Sequence, residues 1–502
     1  MLENKQITRA NYRSYILILL LLISIDAKGE NLVCTLNEAI KIARTQSVQA
    51  LECRQSFISA YWAYRSYKAS RLPSLYVYGN LMNFNRSLNL MQSYEDGHLQ
   101  YVNSNSLQNS LGLQINQNIT FTGGTLSVYT DLARIDQFDP DKTVTWYSQP
   151  VTISYYQPLF SYNQFKWDKL IEPKEFEKAK KEYIESMELI SLETSITYNS
   201  LVLAYLNNKI AKENYDNTSQ MLQIAREREK LGTISKDELL QLELRRLNDS
   251  IYINETIIYI RENQMALTSA LGLDESIEIV PIITESLPNI LLDYEDVLTK
   301  SLKNSSFSIN NEISLLNAQA SVAKAKATRG LSMTLNARFG LSQTSNNIKG
   351  AYHNLLDQEV VGLTFSIPIY DWGLGKGKVE EAKAVQEVVK AQVQQSENDY
   401  RREIYTAVSQ FNKQSQQCSI SKRAMEIAQE RYSLVTTKFR NGNASVLELN
   451  TAQSDRSLSY QKYITDINEF WLLFYTIRKH TLYDYIEGVD IDIDFNEILN
   501  TK

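Results

Sequence analysis

The side chains that most often carry chemistry are thinly spread along these 502 residues. Histidine is a common metal ligand and the acid–base group that titrates near neutral pH. It occurs at His98, His353 and His480, far apart in sequence. The cysteines, Cys34, Cys53 and Cys418, form an odd, scattered set rather than a disulfide framework. Cys34 and Cys53 fall on or near one expected helix, roughly 28 Å apart along it if fully helical, too far to bond within it. Leu32-Val33-Cys34 invites a lipoprotein reading, but Val33 is bulky and the preceding apolar run ends well before it. Isolated thiols are the simpler reading. No phosphate loop, metal cluster or nucleophile motif occurs. The residue types point away from catalysis, and neither cofactor nor metal is expected.

The order in this chain lies in its elements. Gln157-Pro158-Leu159-Phe160 returns as Ile367-Pro368-Ile369-Tyr370, and Leu231-Gly232-Thr233-Ile234-Ser235 returns as Asn441-Gly442-Asn443-Ala444-Ser445. Both pairs are 210 residues apart. Strand-like segments precede each Pro, and long helical patterns follow it, so the chain reads as two similar units. Phe176, Ala179, Tyr183, Met187, Ile190, Thr194, Tyr198, Leu201 and Tyr205 follow an 11-residue period. Val389, Val393, Tyr400, Ile404, Val408 and Phe411 occupy equivalent positions 210 residues on. Eleven residues in three turns gives a nearly straight or gently right-handed helix. A helix from about 161 to 230 would reach roughly 100 Å, which suits a long tube better than a compact domain. Gly232 and Gly442 can end these helices, and Ser235 and Ser445 can cap the next ones.

Thr35-Leu-Asn-Glu38 has the form of a capping box and opens a helix expected to run to about residue 70, with a counterpart at about 294–329. These two helices are offset by about 258 rather than 210, so the first half carries roughly 48 extra residues in its strand region. Leu331, Met333, Leu335, Ala337, Phe339 and Leu341 alternate with polar residues, as do Val361, Leu363, Phe365, Ile367 and Ile369. Period two separates an apolar from a polar face, and about 10 residues suffice for a tilted strand to cross a bilayer. The first half offers four candidates, 74–84, 109–121, 125–135 and 146–157, with Gly123-Gly124 turning the middle two. A soluble β-sandwich would show similar alternation.

Lys5, Arg9 and Arg13 precede an 11-residue apolar run, Tyr15 to Ile25. Too short to span a bilayer, the run reads as a secretory signal over 1–27. Later segments offer no apolar run long enough for a spanning helix. Net charge is −6, which argues against nucleic acid as a partner. The expected plan is a first repeat at 28–273, a linker at 274–293, a second repeat at 294–482 and a loosely held acidic tail at 483–502.

TLNEAIKIA at 35–43, Pro73, the anchors at Pro158 and Pro368, the turns LGTISKDELLQLE and NGNASVLELNTAQ, and Ala270-Leu-Gly-Leu273 together resemble the TolC family of outer-membrane efflux proteins. The resemblance covers about 35–485. It implies an α+β membrane protein with a two-fold internal repeat. Its homotrimer would form a 12-stranded outer-membrane β-barrel, four strands per chain, continuous with a long periplasmic α-helical barrel. The hairpin at 109–135 departs from that plan. The resemblance further implies a passive exit duct for a tripartite efflux or type I secretion system. Its partners would be outer-membrane lipid, a periplasmic adaptor and an inner-membrane pump. The adaptor would dock near Gly232, Thr233, Ile234, Ser235, Gly442, Asn443, Ala444 and Ser445. The family's acidic ring at the periplasmic entrance maps onto Glu448, while the second acidic position falls on Thr451 and puts a double ring in doubt. Glu448 also has a plain reading as a solvated helix residue. A secreted or periplasmic coiled-coil structural or adaptor protein is the alternative; it leaves the strands in both halves unexplained.

Overall fold

The computed structural model describes residues 31–92, 97–139, 142–282 and 287–500. The expected signal segment, 1–27, lies outside the described residues.

In chain order the elements are β1 (Asn31–Cys34), α1 (Leu36–Gln46), α2 (Val48–Ala69), β2 (Ser74–Gln92), β3 (Leu99–Ile119), β4 (Gly124–Asp139) and β5 (Thr143–Leu159). There follow α3 (Gln164–Lys230), α4 (Lys236–Leu271), β6 (Glu278–Pro281), α5 (Tyr294–Asn304), α6 (Phe307–Arg329), β7 (Ser332–Ser345) and β8 (Leu356–Ser366). The chain finishes with α7 (Leu374–Arg440), α8 (Val446–Thr481), β9 (Tyr483–Asp484), β10 (Val489–Asp490) and α9 (Phe495–Asn500). The repeat survives residue for residue: α3 and α7 have 67 residues each, α4 and α8 have 36, and each pair is offset by 210. No helix among the described residues is long and apolar enough to cross a membrane.

Packing does not follow the repeat. One compact unit gathers residues up to 57 with 180–305 and 398–502; the other holds 58–179 and 306–397. Each draws on both halves of the sequence.

The first unit is helical. Met187, Ile190, Tyr198 and Leu201 of the 11-residue pattern are buried in its core, as are Leu267 and Leu271 of α4. The expected helix 35–70 breaks at Ser47, whose backbone is extended and whose hydroxyl accepts from the Ala50 N–H. The counterpart breaks at Ser305, also extended. Both serines are buried, and they lie 258 residues apart, the offset of the two helices. Gly272 ends α4 at φ 70, with its Cα beside the Gln46 carbonyl; an added Cβ would sit 2.6 Å from that oxygen.

Sequence periodicity missed β1 and β6, which pair in parallel from Asn31↔Glu278 to Cys34↔Pro281. Four residues each are too few to show alternation. Cys34 is 2% exposed, its carbonyl accepts from Tyr198 Oη at 2.9 Å, and burial pushes its thiol pKa up to about 11. In the unprocessed chain Cys34 thus packs as a core residue. All three cysteines are free. The acidic tail is not loosely held as expected. Ile491 N–H bonds to the Leu482 carbonyl, and Phe495 packs on Phe57 and Tyr183.

At the centre of this unit Glu188 of α3 is wholly buried and takes two guanidinium partners. Arg44 Nη1 of α1 lies 3.1 Å from Oε1, and Arg478 Nε of α8 lies 2.7 Å from Oε2. Arg478 also reaches Asp484. Three helices thus meet at one carboxylate, and Arg478 links it to the tail.

The second unit contains one antiparallel sheet in the order β2-β3-β4-β5-β7-β8. The four strands per chain implied by the resemblance are therefore corrected to six. The hairpin β3–β4 is hydrogen-bonded on both sides, to β2 and to β5, and accounts for most of the extra length in the first half. Register aligns Leu75, Ile115, Val128, Ile153 and Phe339 in one apolar row across five strands. The adjacent row on the other face is Tyr76, Gln114, Tyr129, Thr152 and Gly340. Leu111, Leu113, Val151 and Ile153 are exposed, whereas Ser110, Ala133 and Thr152 are buried. That pattern belongs to a sheet curled about its polar face. β8 ends at Ser366, short of the expected Ile369, because Pro368 has no N–H to give a ladder.

Two predictions follow from these contacts. Ile153→Arg should cost about 2–4 kcal/mol if that row meets the bilayer midplane, and Ser154→Ala on the opposite face should be mild. Heat-resistant migration of the assembled protein on gels reads both, and normal assembly of Ile153→Arg would reverse the inside–outside assignment. Glu188→Ala strands two partly buried guanidinium groups and should cost about 3–5 kcal/mol. An unchanged thermal midpoint in helical circular dichroism would show that the cluster contributes nothing net.

Candidate functional site: the tips of the two helical hairpins

The sequence patterns converge on the turns between α3 and α4 and between α7 and α8, both within the helical unit. Each is built from the same bonds. Gly232 and Gly442 adopt φ 71 and 83. Around the first, Gly232 N–H bonds to the Glu229 carbonyl at 2.9 Å and Thr233 N–H to that of Arg228 at 2.9 Å. Around the second, Gly442 bonds to Phe439 at 3.0 Å and Asn443 to Lys438 at 2.8 Å. These are Schellman closures, which satisfy carbonyls a helix end would leave orphaned. They require a left-handed residue, which is why glycine stands there.

Each outgoing helix then starts with a capping box. Ser235 Oγ accepts from the Glu238 N–H at 3.2 Å, and Glu238 Oε2 accepts from the Ser235 N–H at 3.0 Å. Ser445 and Glu448 repeat this at 3.2 and 2.8 Å. Ser445 Oγ also donates to Glu448 Oε2 at 3.1 Å. Those bonds hold the Glu448 carboxyl below its ordinary 4.5. Sequence reasoning singled out Glu448 by its place after the turn. Its equivalence to Glu238 and the Ser-x-x-Glu spacing, the same signal recognised at Thr35, show its local work. Thr451, exposed, donates its hydroxyl to the Leu447 carbonyl at 2.9 Å within its own helix. Thr233 likewise donates to the Arg228 carbonyl at 3.0 Å. Ile234 and Ala444 pack against a core of Met221, Leu222, Leu242, Phe439, Val446 and Leu449.

Arg228 was missed by sequence reasoning. Its Nη1 donates to the Phe439 carbonyl at 3.2 Å, and its guanidinium lies 5.4 Å from the Phe439 ring centroid. It fastens the end of one hairpin to the other. Further back, Thr218 donates to Asp249 at 2.8 Å; the carboxyl of Asp249 is buried, which raises its pKa. Leu231 and Leu447 remain exposed at the tips. The strand-to-helix anchors lie in the other unit. Pro158 pairs with Thr334 near the end of β5, and Pro368 falls between β8 and α7.

Nothing at the tips gathers nucleophile, base and oxyanion donors, and no metal-holding group of His, Cys, Asp or Glu occurs among the described residues. What the tips offer is two stiff, matching, mixed-charge ends with apolar side chains between the charges.

Residues 302–466 match the family model described as outer membrane efflux protein. No curated protein matches the chain. Among solved structures, the CmeC outer membrane channel of Campylobacter jejuni superposes with a TM-score of 0.64 at 14% identity, covering 92% of this chain and 88% of that one. The outer membrane protein VceC of Vibrio cholerae gives 0.62 at 14%, covering 89% and 95%. CusC, described as undergoing transmembrane channel formation, gives 0.62 at 16%, covering 89% and 91%. At such identities the likeness shows a shared fold.

Because its folded pKa is depressed, the Glu448 carboxylate stabilises the helix start above its unfolded pKa. That support is lost as pH falls through the lower folded value. Amide exchange at 445–449, corrected for intrinsic rates, should therefore speed up in acid below about 4.5, and Glu448→Gln should flatten the dependence. Ser445→Ala should cost about 1 kcal/mol at the same helix end. Identical acid profiles in parent and Glu448→Gln would sink the capping assignment.

Proposed function

We propose that this chain, a member of the outer membrane efflux proteins, is one of three identical protomers of an exit duct that receives cargo from an inner-membrane pump through a periplasmic adaptor. The match of residues 302–466 to the outer membrane efflux proteins supports an outer-membrane location, with the helical unit on the periplasmic side. The observation that carries the assembly is the sheet. Its apolar rows face outward, its polar face is curled inward, and β2 and β8 are its open edges. In lipid an open edge leaves N–H and C=O groups without partners at several kcal/mol each, so the edges must close on further copies.

The helices support self-association as well. Leu240, Leu244, Leu247, Ile251 and Ile258 form an exposed stripe on α4 at spacings of four, three, four and seven. Ile420, Ile427 and Leu434 form another on α7, seven apart. Such seams are made for neighbouring helices. Cargo moves by diffusion along the shared bore.

The adaptor docks at the tips, on Gly232, Thr233, Ile234 and Ser235 and on Gly442, Asn443, Ala444 and Ser445. Glu448 lines the entrance, where three copies bring negative charge together and favour cations; Thr451 adds no second charge. A pore role and the capping box are compatible, since the lone pairs not used by Ser445 remain free to face the lumen.

Cell fractionation should place the mature chain in the outer membrane as a heat-modifiable trimer; recovery in the inner membrane overturns the proposal. Gly232→Val and Gly442→Val put a β-branched residue at positive φ. They should abolish transport while trimers still reach the outer membrane; normal transport would remove the turns from the adaptor contact. Glu448→Gln should lower cation preference in planar-bilayer recordings, and unchanged selectivity would remove Glu448 from the entrance.

A further inference from the structure

We infer that the membrane wall of this duct contains eighteen strands rather than twelve, with a correspondingly wider bore. The inference rests on the trimeric reading above and extends it to the width of the wall.

The sheet is an unbroken meander of six strands in which every neighbouring pair is antiparallel. An even number leaves β2 and β8 running in opposite directions. The β8 of one copy can therefore pair antiparallel with the β2 of the next, and three copies close a ring of eighteen.

The alternative is that one hairpin leaves the wall, so that four strands per copy close twelve. Three observations oppose it. First, β3 is laddered to β2 from Asn116 to Leu99 and to β4 from Ile119 to Asn105, so removing either hairpin abandons a full ladder. Second, the outward face of β3 and β4 carries a run of apolar residues in its periplasm-proximal half, with Thr130 the one polar residue among them. Leu113 sits between Val77 and Thr130, Leu111 beside Leu132, and Ile115 between Leu75 and Val128. They continue the band formed by Ile153, Phe339, Val361 and Leu363 on the other strands. A flap standing in water would gain nothing from that band, whereas a wall strand needs it.

Third, the polar side is sewn across the same strands. The Tyr78 ring of β2 lies over Gly112 of β3, where an added Cβ would meet Tyr78 Cζ at 2.5 Å. The Tyr78 hydroxyl then donates to the Thr130 carbonyl of β4 at 3.5 Å. Only glycine lets one side chain span three strands there. At 21 and 16 residues, β3 and β4 exceed the roughly 9–11 residues a tilted strand needs to cross.

Barrel diameter grows roughly linearly with strand number. Eighteen strands make the wall about one and a half times as wide as twelve and put it among barrels with an aqueous channel.

Electron cryomicroscopy of the purified parent counts wall strands without any substitution. The expected result is three copies and eighteen strands; twelve strands, from three copies or from two, overturns the inference. Cysteine pairs give an independent reading. Val77→Cys with Leu363→Cys should cross-link between copies, whereas a cross-link between copies in Val128→Cys with Leu363→Cys would mean that β4 is the closing edge and the wall has twelve strands. A monomeric protein outside the outer membrane would bring down the duct itself, an outcome distinct from a twelve-stranded trimer.

Discussion

One constraint governs the strand-bearing part of this protein: backbone hydrogen bonds must close where water is absent. Within the sheet each inner strand is laddered on both sides, and the unmet groups are confined to β2 and β8. If the apolar rows meet lipid, as proposed above, the unpaired edges need partners from further copies. The sheet's bulges, between Asn80 and Asn83, Tyr129 and Asp131, and Ser148 and Val151, add local twist and help to curl it.

The helical part answers a different demand. A 67-residue helix has no intrinsic reason to stop, so its end must be specified. The Schellman glycine and the capping serine do this within a few residues, and they do it twice with the same bonds. Behind the tips, the carboxylate of Glu188 ties α1, α3 and α8 together. A buried carboxylate is costly unless it is paired, so Arg44 and Arg478 must arrive together for the unit to close.

The features legible in the sequence were those that repeat or that have local geometry. The long helices, the two turns, the Thr35 capping box and the alternation of β7 and β8 rest on neighbouring residues. So does the Gly123-Gly124 turn. What escaped depends on partners distant in sequence. β1 and β6 are short and pair across nearly 250 residues. Arg44, Glu188 and Arg478 carry no mark of one another. The breaks at Ser47 and Ser305 lack Gly or Pro, and only their common offset would have exposed them. The six strand candidates were visible in alternation, while the resemblance implied four; here residue pattern was the better guide. At Glu448 the family position was noted and the local Ser-x-x-Glu spacing, legible in the same residues, was passed over.

The tips also show how such a hairpin pair is held together. Each turn is closed by backbone bonds and a reciprocal cap, and remodelling it would release several orphaned groups at once. The links between the hairpins are of another kind, side-chain bonds that are partly buried. They include Arg228 on the Phe439 carbonyl, Arg456 with Glu213, Asn214 with Ser457 and Gln461 with Asn207. The two hairpins also share a buried core in which Met221, Leu222 and Leu242 of one meet Phe439, Val446 and Leu449 of the other. Arg228 is the link nearest the turns, so it fixes the two ends to one another just beyond that core.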